Sequence, residues 1–573
     1  MRLSAILTAA IFMAAASGVY AAEVKVWNGE YVPPPKPVAT KARVGVYIFP
    51  GWYRDAGKGD YPYPTHDEFS EWKRCIATQP KPRPLLGFYD DSLPEVNDWH
   101  TLWALEHGVS FFAFDWYWNA GEHRLMRTLE HGFLKAKYSP LMKFCIHWCN
   151  HSLDWKTRKL DFSREALLEM TKYLADRYFQ LPNYLTVDGR PVLMVWAPRS
   201  IVASNDGPDG FKLAIGEMNV VLRAKGIKDI YLVAIGTGEP IEKAGFDATT
   251  AYCYYGTDLD SPYQRTPGHS VPYEEVVKHY ETMWRQITGT KHLPYIVPIG
   301  TNWDDRPRAR ERGFVITGKS PEKFRTMCVN SLKYLDKNLK MAIIEAWNEW
   351  GEGSILEPDR EFRFGFLDAV REVFADAPAE HTDYVPEEKR LLGYSVLSAA
   401  DLAAAKVLES QPYPDPPPGL RTIRWKTDQP LPTSQPLKAW EFNSGNNEGW
   451  FGHQLDPFKM SGGVLATRST GDDPQIITDN VGVPIEEIGC VALRLRVSNG
   501  VGSCEVFWTT TSDPKPTADK AFQFPVAEDG EWHTYQVCQK IGGKWQGILK
   551  NLRFDTGGPG DVIEVDWIRI YGK

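Results

Sequence analysis

The sequence contains little cysteine and carries no excess of basic residues. Its 573 residues include 8 cysteines, none of which belongs to a Cys-x-x-Cys pair. The formal net charge is −8, so the chain offers no basic surface for nucleic acid or for an anionic membrane. Beyond the N-terminal leader, no apolar run is long enough to span a bilayer. The sequence also lacks an internal repeat and a low-complexity tract.

The N-terminal segment has the layout of a secretory signal peptide. Arg2 supplies a short positive region, residues 5–16 form an apolar stretch shorter than a membrane span, and small residues at positions 19 and 21 predict cleavage after Ala21. We therefore expect a secreted or periplasmic protein. In such an oxidising compartment a disulfide can form among three cysteines, although the sequence does not define the pairing. These are Cys490, Cys504 and Cys538.

Four side chains of metal-binding types alternate within one short segment, which contains Cys145, His147, Cys149 and His151. On a strand, alternate side chains are roughly 6–7 Å apart, too far for all four to bind one ion. They are interpreted as mostly buried groups. We therefore expect no metal, and the sequence implies no organic cofactor.

Short, nearly continuous apolar runs recur along the first part of the chain, with helical stretches between most of them. Such runs fit parallel strands covered on both faces, and eight strand–helix units predict a closed (β/α)8 TIM barrel. The main alternative is a doubly wound open sheet, but no glycine-rich phosphate loop follows the first run. The predicted strands are residues 44–50, 110–118, 142–148, 191–197, 230–236, 248–255, 295–301 and 340–350. The predicted helices include residues 164–177, 211–225, 273–288 and 321–338.

Near residue 438, short strands with turn signals replace the helical pattern. The change predicts that the α/β barrel is followed by an all-β sandwich of the jelly-roll type. The predicted boundaries are a signal peptide at 1–21, a Pro-rich spacer at 22–40, the catalytic barrel at 41–380, short helices and a Pro-rich linker at 381–437, and a sandwich resembling a carbohydrate-binding module at 438–573. The aromatic residues of this sandwich form either a sugar-binding surface or the core of the domain. They are Trp450, Phe451, Trp508, Trp532 and Trp545.

Reactive groups of barrel enzymes lie where the strands end, and these ends collect aromatic, amide, imidazole and carboxylate side chains. Aromatic surfaces that stack on sugar rings, combined with polar groups that bind hydroxyls, suit a polyol substrate. Asp115 and His147 are interpreted equally well as hydroxyl-orienting or as structural groups, and Glu357 as a support for the last loop. The candidate substrate-binding residues are Tyr47, Asp115, Trp116, Tyr117, Trp118, His147, Trp148, Asn150, Trp196, Tyr252, Tyr254, Asn302, Trp303, Asp304, Trp347, Asn348, Trp350 and Glu357.

The end of the eighth predicted strand is the sharpest feature of the sequence. Glu349 and Glu352 lie three residues apart there, beside Trp350. Cleavage of a glycosidic bond needs one carboxylic acid to protonate the leaving oxygen and a second carboxylate to act as base or nucleophile. Apolar neighbours raise the pKa of a carboxyl group toward the value that a general acid requires. An acid-rich solvated loop is the alternative interpretation.

Several segments in the barrel match those of a known family. They are residues 84–90 (PLLGFYD) with 93–96 (LPEV), 107–109 with 115–118 (DWYW), 184–192 (YLTVDGRPV), 302–308 (NWDDRPR) and 346–353 (AWNEWGEG) with 356–358 (LEP). On these motifs the sequence resembles the WbsX-like family, which is related to the family 99 glycoside hydrolases, the endo-acting α-mannosidases. The resemblance covers about residues 44–375.

The resemblance implies a retaining, endo-acting enzyme on an α-linked glycan, with α-mannan as the first expectation. Glu349 would deprotonate the sugar 2-hydroxyl, which then attacks the anomeric carbon. Glu352 would protonate the leaving group and later activate water. Gly351 stands where the related hydrolases have a larger polar residue.

Two other classes of function compete with a glycoside hydrolase. A glycosyltransferase is the first, because WbsX-like proteins often belong to polysaccharide biosynthesis, but a signal peptide disfavours a nucleotide-sugar donor. A glycan-binding protein without catalysis is the second. The carboxylate pair of Glu349 and Glu352 disfavours it, because a protein that only binds does not need such a pair. The expected partner is therefore a polysaccharide or oligosaccharide substrate, with no nucleic acid and no membrane span, and the oligomeric state stays open.

Overall fold

The structure, a computed structural model of the chain, describes most of the barrel and of the C-terminal domain. The described residues are 23–53, 72, 75, 83–150, 160–254, 270–290, 293–310, 313–378, 380–398, 400–403, 405, 426–471, 474–498, 503–514, 521–527, 530–537, 546–556 and 561–573. The predicted signal peptide, His151, Cys538 and Trp545 lie outside them.

Eight parallel strands form a nearly closed barrel, which confirms the predicted fold class. The strands pair in the order β7–β8–β1–β2–β3–β4–β5–β6, so sequence neighbours are also neighbours in space. β6 meets β7 through Thr249, whose amide donates to Pro294 and whose carbonyl accepts from Ile296, both at 2.9 Å. The strands are β1 (Arg43–Ile48), β2 (Phe111–Asn119), β3 (Lys143–Trp148), β4 (Arg190–Val195), β5 (Tyr231–Ile235), β6 (Ala248–Thr250), β7 (Val297–Gly300) and β8 (Met341–Glu345).

Helices follow most of these strands, as the right-handed βα repeat of a barrel requires. Two begin at a serine that caps the first turn. The hydroxyl of Ser163 accepts from Ala166 at 3.3 Å, and that of Ser320 accepts from Lys323 at 3.4 Å. The helices are α1 (Pro94–Glu106), α2 (Arg164–Arg177), α3 (Pro198–Ser204), α4 (Gly207–Ala224), α5 (Glu239–Lys243), α6 (Tyr273–Thr290), α7 (Arg306–Ala309), α8 (Pro321–Ser331), α9 (Gly365–Phe374) and α10 (Glu388–Tyr394).

The Pro-rich segment before the barrel packs against it. A strand at Glu23–Trp27 pairs in parallel with another at Thr382–Pro386, so the two flanks of the barrel are joined. Further along, the hydroxyl of Tyr31 donates to the carboxylate of Asp98 at 2.6 Å, and that carboxylate also accepts two backbone amides. Because Asp98 is fully buried in α1, this contact fixes the segment to the barrel wall.

Short antiparallel strands form two facing sheets after residue 426. The strands are β9 (Lys426–Thr427), β10 (Pro436–Trp440), β11 (Trp450–His453), β12 (Lys459–Ser461), β13 (Val464–Arg468), β14 (Gln475–Thr478), β15 (Val483–Pro484), β16 (Ile488–Ser498), β17 (Ser503–Thr510), β18 (Ala521–Pro525), β19 (His533–Val537), β20 (Ile548–Thr556) and β21 (Val562–Gly572). In one sheet the strands pair in the order β9–β19–β16–β21–β13–β12, and β10 also pairs with β21. In the other sheet the order is β11–β14–β20–β17–β18, and β15 also pairs with β20.

The core of this sandwich takes up part of its aromatic content. Trp450 and Trp508 are buried within it, whereas Phe451 is 44% exposed. The arginines at positions 494 and 496 lie over the ring of Trp532. Cys490 is disulfide-bonded. None of the described helices combines the length and the apolarity that crossing a bilayer requires.

Candidate active site

The loop after β8 is fastened to the end of β1. The amide of Trp347 donates to the carbonyl of Tyr47 at 2.8 Å. The side chain of Asn348 accepts from the amide of Phe49 and donates to its carbonyl, both at 2.9 Å. A short hairpin follows, in which Asn348–Glu349 pairs with Ser354–Ile355. The loop therefore has a defined path at the carboxyl end of the barrel.

Arg308 holds the two predicted catalytic carboxylates together. Its Nη2 atom lies 3.0 Å from Oε2 of Glu349, and its Nη1 atom bonds to Oε1 of Glu352. The side chain of Glu349 is 5% exposed and that of Glu352 is 17% exposed. A guanidinium presents its N–H groups in a rigid fork and stays protonated. The pair is therefore fixed side by side, with Glu352 nearer to solvent.

Sequence reasoning included Arg308 in a motif but did not nominate it as a site residue. It lies in α7, directly after β7, and its guanidinium also stacks over the ring of Phe49 at 5.5 Å. Its position just past a barrel strand could have identified it, because residues there lie at the same end of the barrel as the two carboxylates. The geometry adds Arg308 to the candidate site.

Four aromatic rings line the inside of the barrel below the carboxylates. The ring of Tyr47 lies 4.9 Å from that of His147 and 5.0 Å from that of Tyr252. The ring of Trp196 lies 4.9 Å from Tyr252. Burial raises the pKa of Tyr252 well above its usual range, and the charges of Glu349 and Glu352 raise it further. Through Tyr252, this wall of rings therefore lies close enough to the carboxylate pair to feel its charge.

Asp115 and His147 form a buried hydrogen-bonded pair. Nδ1 of His147 lies 2.7 Å from Oδ1 of Asp115, while Nε2 of His147 is buried without a hydrogen-bond partner among the described residues. A buried nitrogen without a partner costs stability. In the inner wall, Nε2 of His147 is thus the ring atom that the described part of the chain leaves without a hydrogen bond.

Cys149 lies beside this pair, and one ligand atom from each of the three residues lies within 4.8 Å of the others. The distances therefore decide whether the three could bind a metal ion. Ligand atoms around tetrahedral zinc are separated by roughly 3.3 Å, since each lies about 2.0–2.1 Å from the ion. Asp115 and His147 are closer than that, at the 2.7 Å of a direct hydrogen bond. Burial raises the pKa of the Cys149 thiol, and the charge of Asp115 raises it further. The trio therefore fits a hydrogen-bonded dyad beside a protonated thiol better than an ion site.

Other nominated residues of β2 and β3 point away from this wall because side chains alternate along a strand. Trp116 and Trp118 stack at 5.3 Å, and Trp118 packs 4.7 Å from Tyr173 of α2. Trp148 packs against Phe162. These rings belong to the layer between barrel and helices. Tyr117 is buried at the end of β2.

Asn150 and Tyr254 join loops to neighbouring elements. The amide side chain of Asn150 exchanges two hydrogen bonds with the backbone of Ala197, at 3.0 and 2.6 Å. The hydroxyl of Tyr254 bonds to that of Tyr295, and its backbone contacts His279 of α6. Both residues therefore support the mouth of the barrel.

The segment after β7 supports the strand-8 loop. The carbonyl of Asn302 accepts from the hydroxyl of Ser354 at 2.7 Å, and the amide of Asp304 donates to the carbonyl of Glu352 at 2.5 Å. The carboxylate of Asp304 also binds Arg306 through two contacts, at 2.8 and 2.6 Å. Trp303 of the same segment is buried. The hairpin that carries Glu349 and Glu352 is thus held by the segment after β7.

Glu357, Trp347 and Trp350 lie beneath the loop. The buried carboxylate of Glu357 accepts from Tyr89 at 2.7 Å and from the indole of Trp350 at 3.1 Å, and it lies 3.1 Å from His100. Trp347 is fully buried, with its ring 5.6 Å from that of His100. These contacts anchor the loop from below.

The sequence matches the family model described as Glycosyltransferase WbsX over residues 69–370, more than half of the chain. Curated relatives from two strains of Xanthomonas campestris pv. campestris, called "Uncharacterized protein WxcX", are 28% identical over 353 residues, which are 56% of this chain and 49% of theirs. The chain spans about half the length of these curated relatives.

Two solved structures resemble parts of the chain. A "Glycoside hydrolase-like protein" is 18% identical, has a TM-score of 0.43, and is matched over 61% of this chain and 98% of its own. The GH99 endo-alpha-mannosidase from Bacteroides thetaiotaomicron is 17% identical, with a TM-score of 0.38, over 64% of this chain and 99% of its own. The family model covers the described site from β2 to the loop after β8, and this chain belongs to the Glycosyltransferase WbsX family.

Proposed function

We propose that the protein is a glycoside hydrolase that cleaves bonds within an α-linked polysaccharide or oligosaccharide, with α-mannan as the first substrate to test. One observation carries the proposal: Arg308 holds the carboxylates of Glu349 and Glu352 side by side at the mouth of the barrel. Glycoside hydrolysis typically uses two carboxyl groups, one of which acts as a general acid. The shared guanidinium of Arg308 brings two such groups together at the mouth of the barrel.

The proposed reaction uses the two carboxylates in different roles. Glu349 takes the proton of the sugar 2-hydroxyl, whose oxygen attacks the anomeric carbon while Glu352 protonates the departing oxygen. Water, deprotonated by Glu352, then opens the resulting ring at the anomeric carbon, and Glu349 returns its proton to the 2-oxygen. Two inversions give overall retention. The greater exposure of Glu352 suits the residue that exchanges its proton with the leaving group and with water.

Arg308 imposes a condition on this reaction. A neighbouring guanidinium favours the ionised form of a carboxyl group, whereas Glu352 must carry a proton to act as an acid. We propose that the bound substrate displaces the guanidinium of Arg308 from Glu352. The contact between Arg308 and Glu349 stays intact. The inner wall of Tyr47, Trp196 and Tyr252 would then face a sugar ring, and Nε2 of His147 would bind one of its hydroxyls.

Transfer to an acceptor sugar is the second candidate reaction, because the matching family is described as a glycosyltransferase. The same two carboxylates serve it if a sugar hydroxyl replaces water in the second step. The two reactions differ in the final acceptor alone. A binding protein without catalysis needs no such pair of carboxylates.

The carboxylate pair is tested with Glu349→Gln and Glu352→Gln on a panel of α- and β-linked glycans. Each change removes a proton-transfer group, and we expect kcat/KM to fall by at least about 100-fold. The matched control is Glu217→Gln, because the side chain of Glu217 is 45% exposed on α4, and it should retain wild-type activity. Retention of wild-type rates by either site variant, in folded protein, would remove that residue from the mechanism.

Gly353 controls the position of Glu352. Its φ is +76°, and a Cβ atom there would lie 2.7 Å from the amide nitrogen of Asp304, which itself donates to the carbonyl of Glu352. Gly353→Ala should therefore shift the hairpin and lower kcat/KM by roughly 10- to 100-fold. Gly393→Ala is the control, since no atom lies within 4 Å of its Cβ position. Equal activity of the two variants would show that the loop path is not critical.

We propose export through residues 1–21, on the strength of the positive n-region, the short apolar stretch and the small residues before Ala22. Expression of the full chain in a Gram-negative host should yield mature protein in the periplasm or medium, with Ala22 at its N-terminus. The check is cell fractionation followed by N-terminal sequencing. An uncleaved protein confined to the cytoplasm would contradict export.

A further inference from the structure

A second cluster of ionisable side chains lies at the opposite end of the barrel from the carboxylate pair. His107 follows α1 in the connection to the start of β2, and Asp368 lies in the first turn of α9. His381 and Asp383 come from the strand at residues 382–386 and the residue before it. One ligand atom from each of the four residues falls within 4.8 Å of all the others. Three separate parts of the chain thus converge on one point.

The distances within this cluster leave room for an ion. Nε2 of His107 lies 3.4 Å from Oδ1 of Asp368, 3.4 Å from Oδ1 of Asp383 and 3.2 Å from Nε2 of His381. Nε2 of His381 lies 3.3 Å from Asp368 and 3.6 Å from Asp383. Four ligands at about 2.0–2.1 Å from a tetrahedral zinc ion are separated by roughly 3.3–3.4 Å. Five of the six edges, at 3.2–3.6 Å, are therefore close to those of a tetrahedron around zinc.

Three carboxylate oxygens of the cluster are buried without a hydrogen-bond partner among the residues that the structure describes. Asp383 is 1% exposed, and neither of its oxygens has a hydrogen-bond partner. Oδ1 of Asp368 is likewise buried without one. A buried ionised carboxylate is costly unless it is paired or coordinates a metal. Oδ1 of each carboxylate lies within the cluster, so a cation there would satisfy these two oxygens.

The orientation of His107 also suits a ligand. Its Nδ1 atom lies 2.7 Å from the carbonyl oxygen of Trp103, and since a carbonyl can only accept, Nδ1 carries the proton. In the neutral ring Nε2 then presents its lone pair to the cluster. A backbone carbonyl that fixes the tautomer in this way is the usual support of a metal-binding histidine.

We propose that His107, Asp368, His381 and Asp383 form a structural zinc site. Two imidazoles and two carboxylates carry a net charge of −2, which a divalent cation neutralises. Imidazole ligands favour zinc or a similar transition metal over calcium and magnesium, which prefer oxygen. The bound ion would tie α1 and α9 to the strand Thr382–Pro386, and through it to the N-terminal strand Glu23–Trp27.

An approach from solvent is present beside the cluster. A cavity of about 480 Å³ is lined by His381 together with Trp27, Glu106, Arg371 and Tyr384. His381 is 12% exposed at this point, whereas His107 is fully buried. An ion can therefore enter from the side of His381 without opening the barrel.

The first test is the metal content of the mature full-length protein after equilibration with Zn²⁺ and exhaustive dialysis. Elemental analysis should find about one zinc per chain. His107→Gln and Asp383→Asn should each lower this to less than about 0.2, while His131→Gln, at an exposed histidine elsewhere on the barrel, should not change it. Wild-type protein without zinc, or equal zinc in the site variants and the control, would overturn the proposal and leave a metal-free His–Asp network.

A second measurement covers the case in which the variants do not fold. Removal of the ion from wild-type protein with a chelator should lower Tm by about 5 °C or more, and added Zn²⁺ should restore it. Co²⁺ added to the stripped protein should give the intense visible absorption of a tetrahedral site, and Zn²⁺ should abolish it. An unchanged Tm together with no such absorption would contradict the site.

Discussion

The contact of Arg308 with Glu349 and Glu352 is the interaction on which the candidate site depends. Two ionised carboxylates placed this close repel each other, and one of them would otherwise have to take up a proton. The segment after β7 is arranged to deliver the guanidinium. The amide of Arg308 donates to the carbonyl of Asp305 at 2.9 Å, and the carboxylate of Asp305 accepts from Phe314 at 2.6 Å. The motif at residues 302–308 is therefore a support for one side chain.

The two ends of the barrel hold polar clusters of different geometry. At the carboxyl end, Asp115 and His147 are separated by 2.7 Å, the distance of a hydrogen bond. At the amino end, the imidazoles and carboxylates around His107 stand 3.2–3.6 Å apart, the wider spacing from which an ion site is proposed. Barrel enzymes keep their chemistry at the carboxyl end and use the other end for stability. The assignments of catalysis to Glu349 and of a structural ion to His107 follow the same division.

The sequence predicted the barrel well because its signal is local. All eight predicted strands correspond to observed ones, and the helix at Arg164–Arg177 has the predicted bounds, since continuous apolar runs and a serine cap can be read from neighbouring residues. The strand at Thr382–Pro386 was not predicted, because its stability comes from pairing with residues more than 350 positions away.

Site prediction had the corresponding limits. Their positions at strand ends predicted Tyr47, His147 and Tyr252 as site residues, and the structure brings these three rings together. Trp116 and Trp118 were predicted on the same ground, but they point outward because side chains alternate along a strand. The cluster around His107 could not be found by spacing, because its members are separated by up to 276 positions, from 107 to 383. Only the fold brings them to one point.

The most direct test of the account is the identity of the acceptor in the proposed reaction. The mature protein is incubated with the glycan that it cleaves, in water enriched in oxygen-18, and the first product is followed by mass spectrometry and by proton NMR of the anomeric position. The account predicts one labelled oxygen at the new reducing end and retention of the anomeric configuration, with neither signal from Glu352→Gln. Unlabelled product joined to a second sugar would assign the chain to glycosyl transfer, and inversion would contradict the roles given to Glu349 and Glu352.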